Sequence, residues 1–288
     1  MKGQQETRYE QRGDAAWITL DRPEVRNALS ATLVQEVFDH LRAAYAEPGV
    51  RAVVITGAGK GFCAGADLKN PPGRGQDGRP SVPYPDLLSA MLDGPKPVIA
   101  AVNGAAFAGG LGLVGAADLV IAADDATFSF SEVRIGVIPA IISVVCLPKL
   151  GASRCMRLFL TAERFDAEAA VRYGLVHEAV PRQELEGAVE REVGAIRLGG
   201  PHAVAECKRL VRRVSEWTID EGLARTQTWS AELFATAEAQ EGIAAFREKR
   251  APSWVQRATQ GEATDSTASV DSGEASGPVG TGAEPDDV

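Results

Sequence analysis

The N-terminal half of the chain alternates short apolar runs with longer amphipathic stretches. The runs AAWITL (15–20) and RAVVIT (51–56) are rich in β-branched residues and are typical of strands. Between them, residues 31–47 place their apolar side chains on one helical face, and Ser30 stands where a helix N-cap is expected. The pattern predicts a strand, helix, strand unit.

A second unit surrounds a segment made almost entirely of small and aliphatic residues. PVIAAVNG (97–104) and DLVIAA (118–123) predict two further strands, and residues 109–117 between them predict a short buried helix. Strands that are apolar on both faces favour parallel pairing beneath covering helices. The sequence therefore predicts a parallel sheet in this half of the chain.

The C-terminal half has a different pattern. From residue 150 onward the periodicity is nearly all helical, with Asp166 as an N-cap and Gly174 as a helix stop. Residues 258–288 carry seven acidic side chains and no basic one, with almost no large apolar residue. Such a tail cannot bury enough apolar surface to fold. The chain is predicted to be an α/β core followed by a helical part and a disordered acidic tail.

Composition narrows the class of protein. A chain of 288 residues with 45% hydrophobic residues can bury the core of one large domain. Most of the formal net charge of −9 falls in the tail, and no basic stripe predicts a nucleic-acid partner. The apolar segment 101–123 contains Asn103, Asp118 and several glycines, which argue against a membrane span, and the N-terminus has no apolar signal core. We expect a cytoplasmic protein with no membrane association.

The cysteine and histidine residues predict no metal site. They show no CxxC pair and no Cys/His spacing suited to a metal, so free and mostly buried thiols in a reducing compartment are expected. The residues concerned are Cys63, Cys146, Cys155 and Cys207, with His40, His177 and His202.

The glycine-rich run TGAGKGFCAG (56–65) follows a predicted strand, as a phosphate-binding loop would. The dinucleotide fingerprint G-x-G-x-x-G needs glycine where Phe62 stands, and the GK[ST] of a P-loop is absent. Glycines that only serve a tight turn would explain Gly57, Gly59 and Gly61 but not the following run FCAGADLK. Neither interpretation accounts for the whole segment.

Five segments together resemble the successive signature blocks of the enoyl-CoA hydratase/isomerase, or crotonase, superfamily. They are DRPEVRNALS (21–30), GAGKGFCAGADLK (57–69), PKPVIAAVNGAAFAGG (95–110), SEVRIGVIP (131–139) and RFDAEAAVRYGLVHEAV (164–180). Their order and spacing match over about residues 10–255. The resemblance implies a ββα spiral core that binds acyl-CoA (1–200), a C-terminal helical oligomerisation region (201–256) and a tail (257–288). It also implies a homotrimer or a hexamer.

The resemblance further implies a thioester substrate whose carbonyl oxygen is held by two backbone N–H groups, those of Ala66 and Gly109. Small residues let the thioester approach these backbone N–H groups closely. This requirement explains how the run AFAGG (106–110), which has no polar side chain, can form part of a polar site. Coenzyme A would be part of the substrate, so no separate cofactor is expected. Hydratases of the family commonly use two glutamates, and here the matching positions hold Gly112 and Glu132.

A single carboxylate leaves more than one function open. Glu132 can activate water for addition to a 2-enoyl-CoA, or it can move a proton between C2 and C4 of a 3-enoyl-CoA. The sequence around Glu132 resembles that of bacterial hydratases that lack the first glutamate, such as methylglutaconyl-CoA hydratases. This resemblance favours hydration. A non-catalytic acyl-CoA-binding or scaffold protein is the alternative of another class. For Glu132 itself, the alternative is an ordinary carboxylate that is solvated or paired with Arg134.

The remaining expected contacts concern coenzyme A and the acyl chain. Residues 70–85 have the composition of a mobile loop over the acyl pocket. The resemblance assigns binding of coenzyme A or substrate to Arg26, Ala64, Asp67, Leu68, Lys69 and Gly110, with Phe246 and Lys249 reaching it across a subunit interface. Arg26 and Lys249 could equally be solvated charges. The apolar pocket wall is expected from Ile138, Ala140, Ile141 and Ile142, which could also be ordinary helix core.

Overall fold

The computed structural model describes residues 5–72 and 81–255. The predicted tail (257–288) and the centre of the predicted loop (70–85) lie outside these residues. The strands are β1 (Thr7–Arg12), β2 (Ala15–Leu20), β3 (Ala52–Gly57), β4 (Gly61–Cys63), β5 (Val98–Val102), β6 (Ala105–Phe107), β7 (Leu119–Ala123), β8 (Thr127–Ser129), β9 (Phe165–Asp166) and β10 (Glu178–Val180). The α-helices are α1 (Ala31–Ala46), α2 (Tyr84–Asp93), α3 (Gly109–Ala116), α4 (Ala140–Leu150), α5 (Ala152–Thr161), α6 (Ala167–Arg172), α7 (Leu185–Leu198), α8 (Pro201–Val214), α9 (Ile219–Phe234) and α10 (Ala237–Glu248).

Two sheets form the core of the molecule. The larger sheet has the strand order β1-β2-β3-β5-β7-β10, in which β1 pairs antiparallel with β2 and the other strands run parallel. The smaller sheet has the order β4-β6-β8-β9, and β9 runs antiparallel to β8. This topology confirms the predicted α/β fold with parallel strands.

Helices cover both faces of the larger sheet. Val53 and Ile55 of β3 belong to the apolar cluster that includes α1, α2 and α3, whereas Val54 belongs to a separate cluster with α7. Because consecutive residues of one strand point to opposite faces, both faces must be apolar. This two-sided burial explains the uninterrupted apolar runs in the sequence.

Local signals in the sequence set the ends of several helices. The Ser30 hydroxyl accepts a hydrogen bond from the Leu33 N–H at 3.0 Å, and the Asp166 carboxylate accepts one from the Ala169 N–H at 2.7 Å. Both are N-caps that satisfy backbone donors left free by the first helical turn. Gly174 adopts a φ of +78° after α6, which is a left-handed conformation that glycine reaches at little cost. These boundaries agree with the predictions.

The first strand is absent from the elements that the sequence pattern predicts. Most residues of β1 (TRYEQR) are exposed, so its sequence lacks a clear alternation of apolar and polar positions. Its pairing with the fully buried β2 holds it in the sheet. An edge strand with charged side chains also resists pairing with another chain.

A buried ion pair attaches the C-terminal helices to the core. Lys208 of α8 lies 2.7 Å from the Asp118 carboxylate, with side chains 5% and 25% exposed. The Lys208 ammonium also donates to the carbonyls of Met91 and Lys96, and Asp118 accepts from the Val98 N–H. The helices α7 to α10 confirm the predicted helical character of the C-terminal part. Its role in oligomerisation and the boundary at residue 200 stay predictions.

We expect Lys208→Met to lower the free energy of unfolding by about 3 kcal/mol, because it leaves the partly buried Asp118 carboxylate and two backbone carbonyls without their cation. Denaturant unfolding followed by circular dichroism measures this loss. Arg212→Met on the same helix is the matched control, since the Arg212–Asp93 pair is largely exposed and should contribute less than about 1 kcal/mol. Equal losses for the two variants would contradict a structural role for the buried pair.

Candidate active site

Three segments that are distant in sequence meet around one cavity of about 390 Å³. The loop after β4 contributes Ala66, the start of α3 contributes Gly109, and the segment after β8 contributes Glu132. The two predicted backbone donors and the predicted carboxylate therefore line the same space. Ala64 and Leu68 are also part of its wall.

The two predicted donors lie side by side because glycines let their backbones approach. A Cβ added to Gly109 would lie 3.5 Å from the Ala66 nitrogen, and one added to Gly65 would lie 3.1 Å from the Gly109 nitrogen. Gly65 also has a φ of +97°, which disfavours any other residue. Gly109 is the first residue of α3, so its N–H precedes the helical hydrogen bonds and carries the positive end of the helix dipole.

The segment 26–30 braces the loop that carries Ala66. The Leu29 N–H donates to the Gly65 carbonyl at 2.8 Å, and the Asp67 N–H donates to the Leu29 carbonyl at 2.9 Å. The Ala64 N–H donates to the Arg26 carbonyl at 3.0 Å. The backbone of this block therefore has a structural task that does not depend on the Arg26 side chain, which is exposed.

Two side chains in or near this segment support the same loop and were missed by the sequence analysis. Asn27 is fully buried, and its amide donates to the carbonyls of Ala58 and Gly61. Arg22 donates to the Asp67 carboxylate at 3.0 Å. A buried asparagine with a positive φ at the end of a short 3₁₀ helix has no strong sequence signal apart from its place in the block.

Asp67 is engaged by the protein itself. Burial opposes ionisation, but hydrogen bonds from the Lys69 N–H, the Arg22 side chain and the Asn70 N–H hold the pKa of Asp67 below its ordinary value. The carboxylate is thus ionised and directed towards its own loop. Its predicted contact with coenzyme A stays a prediction.

The other predicted binding residues lie in different surroundings. Gly110 is buried, and a Cβ there would lie 2.5 Å from the Cys63 carbonyl oxygen, so this glycine allows α3 to pack on β4. Lys69 is exposed on the loop. Phe246 is 85% exposed on α10, Lys249 follows that helix, and neither lines the cavity. Their predicted contact across a subunit interface stays a prediction.

Glu132 opens a short 3₁₀ helix beside the cavity. Its Oε2 atom is buried and has no hydrogen-bond partner among the described residues. Burial raises the pKa of Glu132 above its ordinary value. Arg134 turns away and donates to the carbonyls of Thr161 and Ala162 at 3.4 and 3.3 Å. The alternative of an ordinary ion pair between Glu132 and Arg134 is therefore wrong.

The position of the missing first glutamate is filled from another helix. A Cβ added to Gly112 would lie 2.5 Å from the Tyr84 hydroxyl oxygen and 2.7 Å from Cγ2 of Ile142. Tyr84 begins α2, is 7% exposed, and donates a hydrogen bond from its hydroxyl to the Gly109 carbonyl. The sequence analysis missed Tyr84, which lies within the run expected to be a mobile loop. The pair of prolines around it, VPYP, is the signal for a helix start.

The wall opposite the backbone donors is apolar. All four predicted pocket residues, Ile138, Ala140, Ile141 and Ile142, line the cavity. Ile138 is 72% exposed and Ile141 is 45% exposed, whereas Ile142 is buried. Two of these isoleucines are therefore surface residues of the pocket, and the alternative of ordinary helix core applies only to Ile142.

The predictions on metal sites, membrane spans and cysteines concern the whole of the described ranges, residues 5–72 and 81–255. There, no group of three His, Cys, Asp or Glu side chains is placed to hold a metal ion, and no helix has the length and apolarity needed to cross a bilayer. Three cysteines are buried as predicted, while Cys207 is exposed. All four are free thiols.

The chain is similar to known proteins over most of its length. The sequence profile of the enoyl-CoA hydratase/isomerase family matches residues 10–257. The chain is 39% identical over 253 residues to a "Probable enoyl-CoA hydratase" of Rhodobacter capsulatus, covering 87% of this chain and 98% of that protein. It is 35% identical over 250 residues to the carnitinyl-CoA dehydratase of Proteus mirabilis, and this match covers 84% of this chain and 95% of that protein.

Solved structures give the same result. The crystal structure of an enoyl-CoA hydratase from Bacillus anthracis superposes with a TM-score of 0.78 at 31% sequence identity, covering 86% of this chain and 98% of that one. The expected crotonase-type fold is thereby confirmed. The chain belongs to the enoyl-CoA hydratase/isomerase family.

Proposed function

We propose that the protein is a hydratase that adds water to the double bond of a 2-enoyl-CoA, with Glu132 as its catalytic carboxylate. The observation that carries the proposal is that Glu132, whose buried Oε2 atom has no hydrogen-bond partner among the described residues, lines the same cavity as Ala66 and Gly109. An acyl-CoA thioester suits an enzyme of this family. Coenzyme A enters as part of the substrate, so the proposed reaction needs no other cofactor.

The proposed steps assign one task to each group. The N–H groups of Ala66 and Gly109 donate to the thioester oxygen and stabilise the negative charge that develops there when C3 is attacked. Glu132 takes a proton from water as the water oxygen bonds to C3, and it then delivers a proton to C2. A carboxylate whose pKa is raised by burial is a stronger base once ionised, which suits this double task.

Isomerisation of a 3-enoyl-CoA is the second candidate. It is favoured by the single carboxylate, because moving a proton from C2 to C4 needs no water and no second acid. Similarity to proteins named hydratase and dehydratase weighs towards hydration. A non-catalytic acyl-CoA-binding protein would not need a carboxylate with a buried, unpartnered oxygen, which costs stability.

The proposal also covers the acyl group of the substrate, the oligomeric state of the protein and its cellular location. The glycine at position 112 supports a likeness to single-glutamate hydratases such as methylglutaconyl-CoA hydratase. Exposed apolar residues on the C-terminal helices, including Val211, Leu223 and Phe246, support a homotrimer or hexamer. We place the enzyme in the cytoplasm, acting on acyl-CoA and not on nucleic acid or membranes.

We expect Glu132→Gln to reduce hydration of 2-butenoyl-CoA by at least about 10²-fold, because the amide cannot accept the proton of water. The gain of one water is measured by mass spectrometry of the product. Exposed Glu168→Gln serves as the control. Conversion of 3-butenoyl-CoA to the 2-enoyl isomer without any hydration by the wild type would instead establish the isomerase.

We expect Gly65→Ala to lower kcat by roughly 10²- to 10³-fold, because its Cβ would press on the Gly109 N–H and displace one oxyanion donor. Gly13→Ala is the matched control. Gly13 also has a positive φ, yet a Cβ there meets nothing within 4 Å, so it shares the backbone strain and leaves the cavity intact. Similar losses of kcat in both variants would contradict the assignment of Gly109.

We expect Glu132→Gln to raise the melting temperature by a few degrees at neutral pH. Burial raises the folded-state pKa of Glu132 above its unfolded value, so the carboxyl favours folding below the unfolded pKa, and this contribution is lost as the pH rises through the folded pKa. The difference between variant and wild type should therefore disappear near pH 4. Calorimetry at both pH values tests the trend, and a variant less stable than wild type at neutral pH would oppose it.

A further inference from the structure

The hydroxyl of Tyr84 occupies space that a side chain at position 112 would otherwise take. It lies 2.5 Å from the position of a Cβ on Gly112, and Tyr84 lines the cavity together with Glu132. The phenol comes from α2, which no predicted site residue occupies. A polar atom is thus present in the cavity that Glu132 lines, although the chain has a glycine where a second acidic side chain would stand.

The hydrogen bonds of this hydroxyl fix its direction. Its proton is donated to the Gly109 carbonyl, and a backbone hydrogen bond involving Leu113 engages one of the two lone pairs of its oxygen, so one lone pair is left to act as an acceptor. Burial raises the pKa of Tyr84 well above its ordinary value, and a backbone hydrogen bond involving Leu113 opposes this shift. The phenol therefore stays neutral at the pH values at which Glu132 is ionised. A neutral oxygen of this kind can take one hydrogen of a water molecule without taking its proton.

We propose that Tyr84 is a further catalytic residue that holds the attacking water together with Glu132. This inference rests on the proposed hydratase function. One hydrogen of the water is directed to the Glu132 carboxylate, whose Oε2 atom has no hydrogen-bond partner among the described residues, and the other to the Tyr84 oxygen. Both hydrogens of the water are then engaged in hydrogen bonds, and a lone pair of its oxygen is free to attack C3.

The proton count of the step is complete without ionising Tyr84. The water oxygen bonds to C3 as Glu132 takes the first hydrogen, and the proton held by Glu132 is delivered to C2. The second hydrogen remains on the oxygen as the hydroxyl of the product. Tyr84 accepts a hydrogen bond throughout and neither gains nor loses a proton. Removing its hydroxyl should therefore slow only reactions that use water.

Tyr84→Phe tests the proposal with two reactions of the same enzyme. One is hydration of 2-butenoyl-CoA. The other is exchange of the C2 hydrogens of butanoyl-CoA in deuterated water, which needs the backbone donors and Glu132 but no positioned nucleophile. We expect hydration to show a kcat roughly 100-fold lower, as for a misplaced reactant, while exchange stays within about twofold of the wild-type rate. The KM for 2-butenoyl-CoA should change little.

Tyr45→Phe is the matched control. Tyr45 is also largely buried and donates its hydroxyl proton to a backbone carbonyl, that of Ala90 at 3.0 Å, but it does not line the cavity. It should lose stability without a selective loss of hydration. If Tyr84→Phe does not fold, Gly112→Ala gives a second test, because its Cβ would displace the phenol. The same selective loss of hydration is expected.

The outcomes separate the two proposals. Unchanged hydration in Tyr84→Phe, or an equal fall in hydration and exchange, would overturn the role of Tyr84 in holding water. An equal fall would show that Tyr84 only supports the Gly109 peptide. A wild-type protein that exchanges C2 hydrogens but never hydrates would instead reject the hydratase function itself.

Discussion

The close approach of α3 to the loop after β4 is the constraint on which the cavity depends. Two backbone N–H groups can face one oxygen only if no side chain separates their peptides. Gly65 and Gly109 meet this requirement directly, and Gly110 lets the same helix rest against Cys63. In the proposed mechanism the chemistry of α3 comes from its backbone N–H groups, so the small and apolar composition of this helix is a condition for its polar function.

Glu132 places a second demand on the fold, and it opposes stability. An ionised carboxylate with a buried oxygen and no protein partner is costly, and that cost disappears when the group is protonated. The surrounding structure compensates through groups that are fully satisfied, such as the Lys208–Asp118 pair and the brace from Asn27. In the proposed mechanism, the contrast between the paired Asp118 carboxylate and the unpartnered Oε2 atom of Glu132 separates a structural carboxylate from the catalytic one.

Sequence periodicity was sufficient for elements whose stability is decided locally. The apolar face of α1, the cap at Ser30 and the two-sided strands are each written in neighbouring residues, and the glycine blocks located Ala66 and Gly109. Prediction failed where the deciding partner is distant in sequence. β1 depends on pairing with β2, and Asn27 depends on the carbonyls of Ala58 and Gly61. The sequence left an ion pair between Glu132 and Arg134 open as an alternative, because the carbonyls near α5 that Arg134 contacts are distant in sequence.

Tyr84 illustrates the same limit most clearly. From the sequence, Gly112 is only a missing carboxylate, because no local pattern shows what fills the space above a glycine. The structure fills that space with a hydroxyl from α2, and the absence of a side chain at 112 is what makes room for it. Glycine and tyrosine are therefore complementary choices. Any side chain at position 112 requires the phenol to move, so the two positions must be considered together in any account of the reaction in this cavity.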